Sequence, residues 1–192
     1  NCIPYVRVGA KDPLIIKRSL DAGAKGLIVP SVNTETDAKK IVNWAKYPPQ
    51  GSRGVGLARA QGYGFNFEEY SKKINDEIII IAQIEHVDAI NNLETILKTD
   101  GISGTIIGPY DLSGSIGKPG QYNHPEVKKL LKNYEKISNA IGKTMGYHVI
   151  KPNHKIVLEK ISVGYEFIAF SLDTLFLGTI CRKEISKIRN II

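Results

Sequence analysis

Short apolar runs alternate with amphipathic stretches along this chain, and the alternation repeats six times. A run that is apolar at consecutive positions is typical of a parallel strand buried on both faces. The predicted strands are 2–8, 26–29, 78–84, 104–107, 144–149 and 165–170. The predicted helices are 13–22, 34–44, 67–75, 87–97, 125–141, 153–161 and 172–188. The pattern predicts a single α/β domain over residues 1–192 with parallel strands.

A parallel sheet with right-handed crossovers either closes as a (β/α)₈ barrel or stays open as a doubly wound sheet. No Gly-x-Gly-x-x-Gly segment joins a strand to a helix, and polar residues gather where the predicted strands end. Both features favour the barrel. Because such a barrel usually takes about 250 residues and this sequence has 192, about two βα units are absent from it.

Charge and composition exclude several classes of protein. The net charge is +7, but the lysines are scattered over predicted helices and no arginine-rich arm occurs, so we expect no nucleic-acid partner. The longest apolar run, 78–82, is too short to cross a membrane. The two cysteines, Cys2 and Cys181, cannot build a disulfide framework, which fits a reducing compartment. We therefore expect a cytoplasmic protein.

Charged residues follow three of the predicted strands. Arg7 lies at the end of the first strand, Glu85 follows the third, and Asp111 follows the fourth. Since Glu85 and Asp111 are about one βα unit apart, we expect them on adjacent strand ends, where two carboxylates suit a hard divalent cation such as Mg²⁺ or Mn²⁺. A single Glu at a strand end is more often a solvated loop residue, and that alternative stays open.

Several motifs occur in order over nearly the whole chain. They are VRV at 6–8, LDAGA at 20–24, GSRGVG at 51–56, QIE at 83–85, GPYDLS at 108–113 and HPEV at 124–127. Together they resemble the HpcH/HpaI family of metal-dependent pyruvate aldolases. The resemblance implies a (β/α)₈ TIM barrel of the phosphoenolpyruvate/pyruvate type. It also implies reversible cleavage of a 2-keto-3-deoxy sugar acid, or a related 4-hydroxy-2-oxoacid, to pyruvate and an aldehyde through a metal-stabilised pyruvate enolate.

The resemblance also implies roles for individual residues. Glu85 and Asp111 match the ligands of a divalent metal ion (Mg²⁺, Mn²⁺ or Co²⁺), and Arg7 matches the arginine that holds the keto oxygen of pyruvate. Asp21 matches an aspartate that orients a catalytic histidine. The residues expected to bind substrate are Gln83, Gly108, Pro109 and Tyr110.

The sequence departs from the family pattern at its start. The family's first two strands and the histidine that they carry do not occur among these 192 residues. Either the sequence belongs to a longer chain, or the barrel is degenerate. Two other functions stay open: an acyl-CoA lyase of the citrate lyase beta or malyl-CoA lyase type, and a non-catalytic metal-binding barrel subunit. The apolar surface of the predicted helix 172–188 predicts a homo-oligomer, either a hexamer or one based on dimers.

Overall fold

The computed structural model describes residues 2–191. The chain divides into two compact units, one that ends at Met145 and one that begins at Gly146. The larger unit contains four parallel strands that are neighbours in chain order. They are β1 (Tyr5–Arg7), β2 (Gly26–Val29), β3 (Ile79–Ile84) and β4 (Gly104–Ile107). The predicted α/β class with parallel strands is confirmed for this unit.

Helices connect and flank these strands. They are α1 (Pro13–Asp21), α2 (Glu35–Ala45), α3 (Phe67–Glu77), α4 (Val87–Asn91), α5 (Leu93–Lys98), α6 (Pro109–Ser115) and α7 (Pro125–Ile141), with a 3-10 segment at Arg59–Gly64. Helix α1 begins where the sequence predicts, because the Asp12 carboxylate accepts a hydrogen bond from the Ile15 N–H and Pro13 occupies the first helical position. Helix α2 begins with a capping box formed by Thr34 and Asp37.

The core of the larger unit consists of aliphatic side chains on both faces of the strands. In β4 all four residues are buried, and in β3 four of the six are buried. The inaccessible side chains include Leu27 of β2, Ile80 and Ile84 of β3, and Ile107 of β4. This double burial explains why the strands show no alternation of polar and apolar residues.

The smaller unit contains β6 (Phe167–Phe170), α8 (His154–Val163), α9 (Asp173–Arg189) and most of β5 (Thr144–Val149), which pairs with β6 in parallel. Gly164 ends α8 in the left-handed conformation, at φ 102°, as expected of a glycine after a helix. Within residues 2–191, no helix is both long enough and apolar enough to span a membrane.

Three of the predicted elements are corrected by the structure. The first strand covers only Tyr5–Arg7, and the predicted helix 87–97 is divided at Asn92, whose φ of −101° and ψ of 9° are not helical. The predicted elements include no helix between 107 and 125, whereas the structure has α6 there; two glycines and two serines at 108–115 weaken the helical pattern in the sequence. The described residues contain six strands, so closure into an eight-stranded barrel stays a prediction.

Candidate active site

A cavity of about 410 Å³ lies at the carboxyl ends of β1, β2 and β3 and beside the first turn of α6. Its lining residues are Arg7, Ser31, Asn33, Glu85, His86, Asp111 and Ser115. The structure thus brings together the arginine and both carboxylates that the sequence singled out. Polar side chains at the carboxyl ends of parallel strands are the usual setting for a ligand site in α/β proteins.

The register of the strands explains this convergence. Ile84 of β3 is level with Ile107 of β4, so Glu85 and Gly108 leave the sheet at the same height. Asp111 comes three residues later, in the first turn of α6. The sequence spacing places both carboxylates on neighbouring strand ends, but only the structure shows that the second one is carried by a helix.

A chain of hydrogen bonds links the arginine to the first carboxylate. Arg7 Nε donates to Gln83 Oε1 at 3.3 Å, and Gln83 Nε2 donates to Glu85 Oε1 at 2.6 Å. The other carboxylate oxygen of Glu85 accepts the Ser31 N–H at 2.9 Å. Glu85 is therefore held on both of its oxygens, and its orientation is set before any ligand binds.

The backbone at two positions helps to place Glu85. Ser31 donates a hydrogen bond to it, and Gly108 leaves space for it. Ser31 has a φ of 55°, in the left-handed region that a residue with a side chain seldom adopts. This conformation accompanies the hydrogen bond from its N–H to Glu85. Gly108 has a different role: a Cβ atom there would lie 3.1 Å from Glu85 Cγ and 3.6 Å from Gln83 Nε2, so the absence of a side chain leaves space for both.

Burial raises the pKa of the Glu85 carboxyl above its ordinary value. The Ser31 N–H lowers that pKa, the negative charge of Asp111 raises it further, and the positive charge of Arg7 lowers it. The cavity thus holds a half-buried carboxylate, Glu85, beside an exposed one, Asp111, and their negative charges repel each other. A bound cation would relieve this repulsion.

The donor set fits a hard divalent metal ion. Glu85 and Asp111 offer carboxylate oxygens, which Mg²⁺ and Mn²⁺ prefer over nitrogen or sulfur. Within residues 2–191, no group of three or more His, Cys, Asp or Glu residues could enclose a metal ion. Two protein ligands would leave the other coordination positions open to water and substrate oxygens, as a catalytic site requires.

The family follows from a comparison with known proteins. The family model described as HpcH/HpaI aldolase/citrate lyase matches residues 1–176. The chain belongs to this family. The resemblance noted in the sequence motifs is therefore confirmed.

Members of the HpcH/HpaI family are similar to this chain in sequence and in structure. A 2-keto-3-deoxy-L-rhamnonate aldolase of Klebsiella pneumoniae is 39% identical over 175 residues, which are 90% of this chain and 64% of that protein. The crystal structure of a family protein from Burkholderia cenocepacia J2315 matches with a TM-score of 0.91 at 30% identity, covering 97% of this chain and 74% of that one. For an HpcH/HpaI aldolase from Desulfitobacterium hafniense DCB-2, the TM-score is 0.86 at 33% identity, with 96% and 71% covered. The chain thus spans less than two thirds of the length of the Klebsiella pneumoniae aldolase that it matches.

The four residues expected to bind substrate are not among those that line the cavity. Gln83 instead links Arg7 to Glu85, and Gly108 gives Glu85 its space. The Gly108 N–H is already bonded to the Ile84 carbonyl oxygen at 2.9 Å, and Pro109 has no N–H to donate. Tyr110 is 54% exposed and lies in the first turn of α6, where backbone N–H groups have no partner within the helix.

The structure does not bring Asp21 to the cavity. Asp21 is the last residue of α1, a few residues before β2 begins at Gly26, so it lies towards the amino ends of the strands. Its carboxylate accepts a hydrogen bond from Arg53 Nη2 at 2.6 Å and another from Lys17 Nζ. Arg53 is buried, and its guanidinium stacks 4.5 Å from the centroid of the Tyr47 ring. These contacts stabilise the loop that carries Arg53.

Other cavity residues were not predicted as part of the site. His86 caps α4, with Nδ1 accepting the Asp88 N–H at 3.1 Å, and it also lines the cavity. Ser31 directly follows the second strand, and this position in the sequence indicates that it lies near the site. Its hydrogen bond to Glu85, however, depends on a positive φ that no sequence motif predicts. Asn33 and Ser115 carried no signal.

Proposed function

We propose that the full-length protein is a divalent-metal-dependent aldolase that cleaves a 2-keto-3-deoxy sugar acid, or a related 4-hydroxy-2-oxoacid, to pyruvate and an aldehyde. The observation that carries the proposal is the joint placement of Arg7, Glu85 and Asp111 in one cavity, with Gln83 linking the first two. Membership of the HpcH/HpaI family and similarity to proteins named 2-keto-3-deoxy-L-rhamnonate aldolase support it.

The reaction creates negative charge at a predictable place. A base takes the proton of the C4 hydroxyl, the bond between C3 and C4 breaks, and the electron pair passes to C3 and the keto oxygen of the pyruvate part. The guanidinium of Arg7 lines the cavity. A positive charge held beside the keto oxygen stabilises the enolate more than it stabilises the neutral ketone. Because Gln83 holds Arg7 Nε, little reorganisation is needed when the charge develops.

Glu85 and Asp111 are the residues that would hold the metal ion. When bound, a divalent cation supplies Lewis acidity that lowers the energy of the developing oxyanion. The hydrogen bonds from Ser31 and Gln83 keep both Glu85 oxygens in a defined orientation, as the supporting groups around a metal ligand do. No covalent bond to a lysine is required in this scheme.

Pyruvate release from a 2-keto-3-deoxy sugar acid tests the proposal. Full-length protein is incubated with 2-keto-3-deoxy-L-rhamnonate, and pyruvate is measured with lactate dehydrogenase, before and after treatment with EDTA. We expect cleavage that EDTA abolishes and added Mg²⁺ or Mn²⁺ restores. Cleavage that is insensitive to EDTA contradicts metal dependence. Turnover of an acyl-CoA thioester without turnover of any oxoacid would contradict the substrate class.

A further inference from the structure

Asn33 lines the cavity together with Arg7, Glu85 and Asp111, yet its side-chain oxygen has no partner. Oδ1 of Asn33 is buried and accepts no hydrogen bond within residues 2–191. Buried polar atoms in native proteins almost always have a hydrogen-bond partner, because an unsatisfied acceptor destabilises the folded state. The unpaired amide therefore needs an explanation.

The backbone of Asn33 is firmly held, so loose packing does not explain the unpaired atom. Its N–H donates to Asp37 Oδ2 at 3.0 Å, and its carbonyl oxygen accepts from Asn92 Nδ2 at 3.0 Å. Asp37 in turn forms an ion pair with Lys11 at 2.9 Å. These contacts fix the position of the Asn33 backbone, whereas the side-chain Oδ1 is left without a hydrogen bond. This combination is typical of a side chain whose partner is a ligand.

The chemistry of the amide indicates what that ligand offers. A carboxamide is neutral and carries both an acceptor and two donors, so it matches a hydroxyl group, which also donates and accepts. An anionic group would instead be matched by arginine or lysine. In the proposed function Arg7, Glu85 and Asp111 serve the oxoacid part of the substrate. The polar groups that remain are the hydroxyls of the aldehyde part.

We propose that Asn33 determines specificity by forming a hydrogen bond with a hydroxyl group of the aldehyde portion, so that the enzyme selects hydroxylated aldehydes over unsubstituted ones. This inference rests on the proposed aldolase function and deepens it. No hydrogen bond within residues 2–191 competes with a ligand for Oδ1.

Two aldehydes that differ by one hydroxyl group test the inference. Full-length protein catalyses addition of pyruvate to lactaldehyde or to propanal in the presence of Mn²⁺, and kcat/KM is measured for each. We expect Asn33→Leu to lower kcat/KM for lactaldehyde by about 10- to 100-fold, mostly through KM, because one buried hydrogen bond is lost. For propanal we expect a change of less than about threefold.

A second variant and a control separate specificity from structure. Asn33→Asp keeps the shape of the side chain and an acceptor oxygen in the place of Oδ1, and we expect it to keep the preference for lactaldehyde that Asn33→Leu loses. Asn139→Leu replaces an exposed asparagine of α7 and should change neither rate.

Equal losses for both aldehydes, or no loss for lactaldehyde, would overturn the role of Asn33. An unsubstituted protein that consumes neither aldehyde would instead overturn the proposed function, and this inference with it. An active protein whose aldehyde preference is independent of Asn33 refutes this inference alone.

Discussion

At the scale of single residues, Arg53 is the most deeply buried charge in the described chain. Its side chain is fully inaccessible, and its partner Asp21 is 13% exposed. We expect Arg53→Met to lower the free energy of unfolding by about 1–3 kcal/mol, because the Asp21 carboxylate loses its buried partner and keeps only Lys17. Lys72→Met, which removes an exposed ion pair with Glu68, should cause no measurable change. Equilibrium unfolding in urea compares the two variants, and equal effects would contradict this account of Arg53.

We propose that metal binding depends most on Glu85. Glu85→Gln keeps the shape of the side chain but removes the negative charge that the two hydrogen bonds orient. We expect the affinity for Mn²⁺ to fall by more than about 100-fold, since even supporting residues of a metal site contribute 10- to 100-fold. Isothermal titration calorimetry measures the affinity, with Glu94→Gln as a control on an exposed glutamate of α5. Unchanged Mn²⁺ binding by the Glu85 variant would show that the cation binds elsewhere.

At the scale of elements, substitution by alanine at two glycines in neighbouring segments should change the stability of the protein in opposite directions. In β4, a Cβ at Gly104 would lie 2.5 Å from the backbone oxygen of Thr144, which cannot move aside as a side chain can. We expect Gly104→Ala to destabilise the protein by about 1–3 kcal/mol. Gly114 lies in α6 with open space around it, so Gly114→Ala should stabilise by up to about 1 kcal/mol. Thermal unfolding measures both, and the same sign for both would contradict the packing described.

In β5, burial lowers the pKa of His148 below its ordinary value. The unfolded chain then binds a proton more readily than the folded one as the pH falls through about 6.5. His148 therefore makes the protein less stable below that pH and has no such effect well above it. We expect the loss of stability between pH 7.5 and 5.5 to be smaller in His148→Gln than in the unsubstituted protein. Urea unfolding at the two pH values measures it, and identical losses would refute the assignment.

At the scale of the whole molecule, exposed apolar side chains on α9 lead us to propose a homo-oligomer, based on dimers or hexameric. The large ones are Phe176, Leu177, Ile180, Ile185 and Ile188, each at least 40% exposed. Monomeric proteins seldom expose so many together. Light scattering on full-length protein should give a multiple of the monomer mass, and Ile180→Lys should reduce it, whereas Ser186→Lys on the same helix should not. A monomeric full-length protein contradicts the proposal.

The sequence predicts more of the fold than of the site. Strands β2 and β4 begin and end where their apolar runs do, because double burial leaves a continuous pattern. The positions of Arg7 and Glu85 followed from their places after strands. Asn33 could not be found in this way, since its unpaired oxygen depends on packing.

Two further residues show where motif-based inference is limited. The motif that contains Asp21 matches the family. The position of the Asp21 side chain beside Arg53, however, depends on a contact between residues that are 32 positions apart in the sequence. The link from Ser31 to Glu85 likewise depends on a left-handed backbone conformation at a residue other than glycine. Sequence patterns report local preference and burial, and they carry little information about such long-range contacts.

The exchange of the pyruvate methyl protons with solvent tests the central claim most directly, because it reports enolate formation without requiring the natural aldehyde. Full-length protein is incubated with pyruvate in D₂O containing Mn²⁺, and after removal of the metal the loss of the methyl signal is followed by NMR. We expect exchange well above the rate without protein, and little exchange with EDTA or with Arg7→Met. Exchange that proceeds equally with EDTA, or equally in the Arg7 variant, would contradict a metal-dependent aldolase site built on Arg7, Glu85 and Asp111.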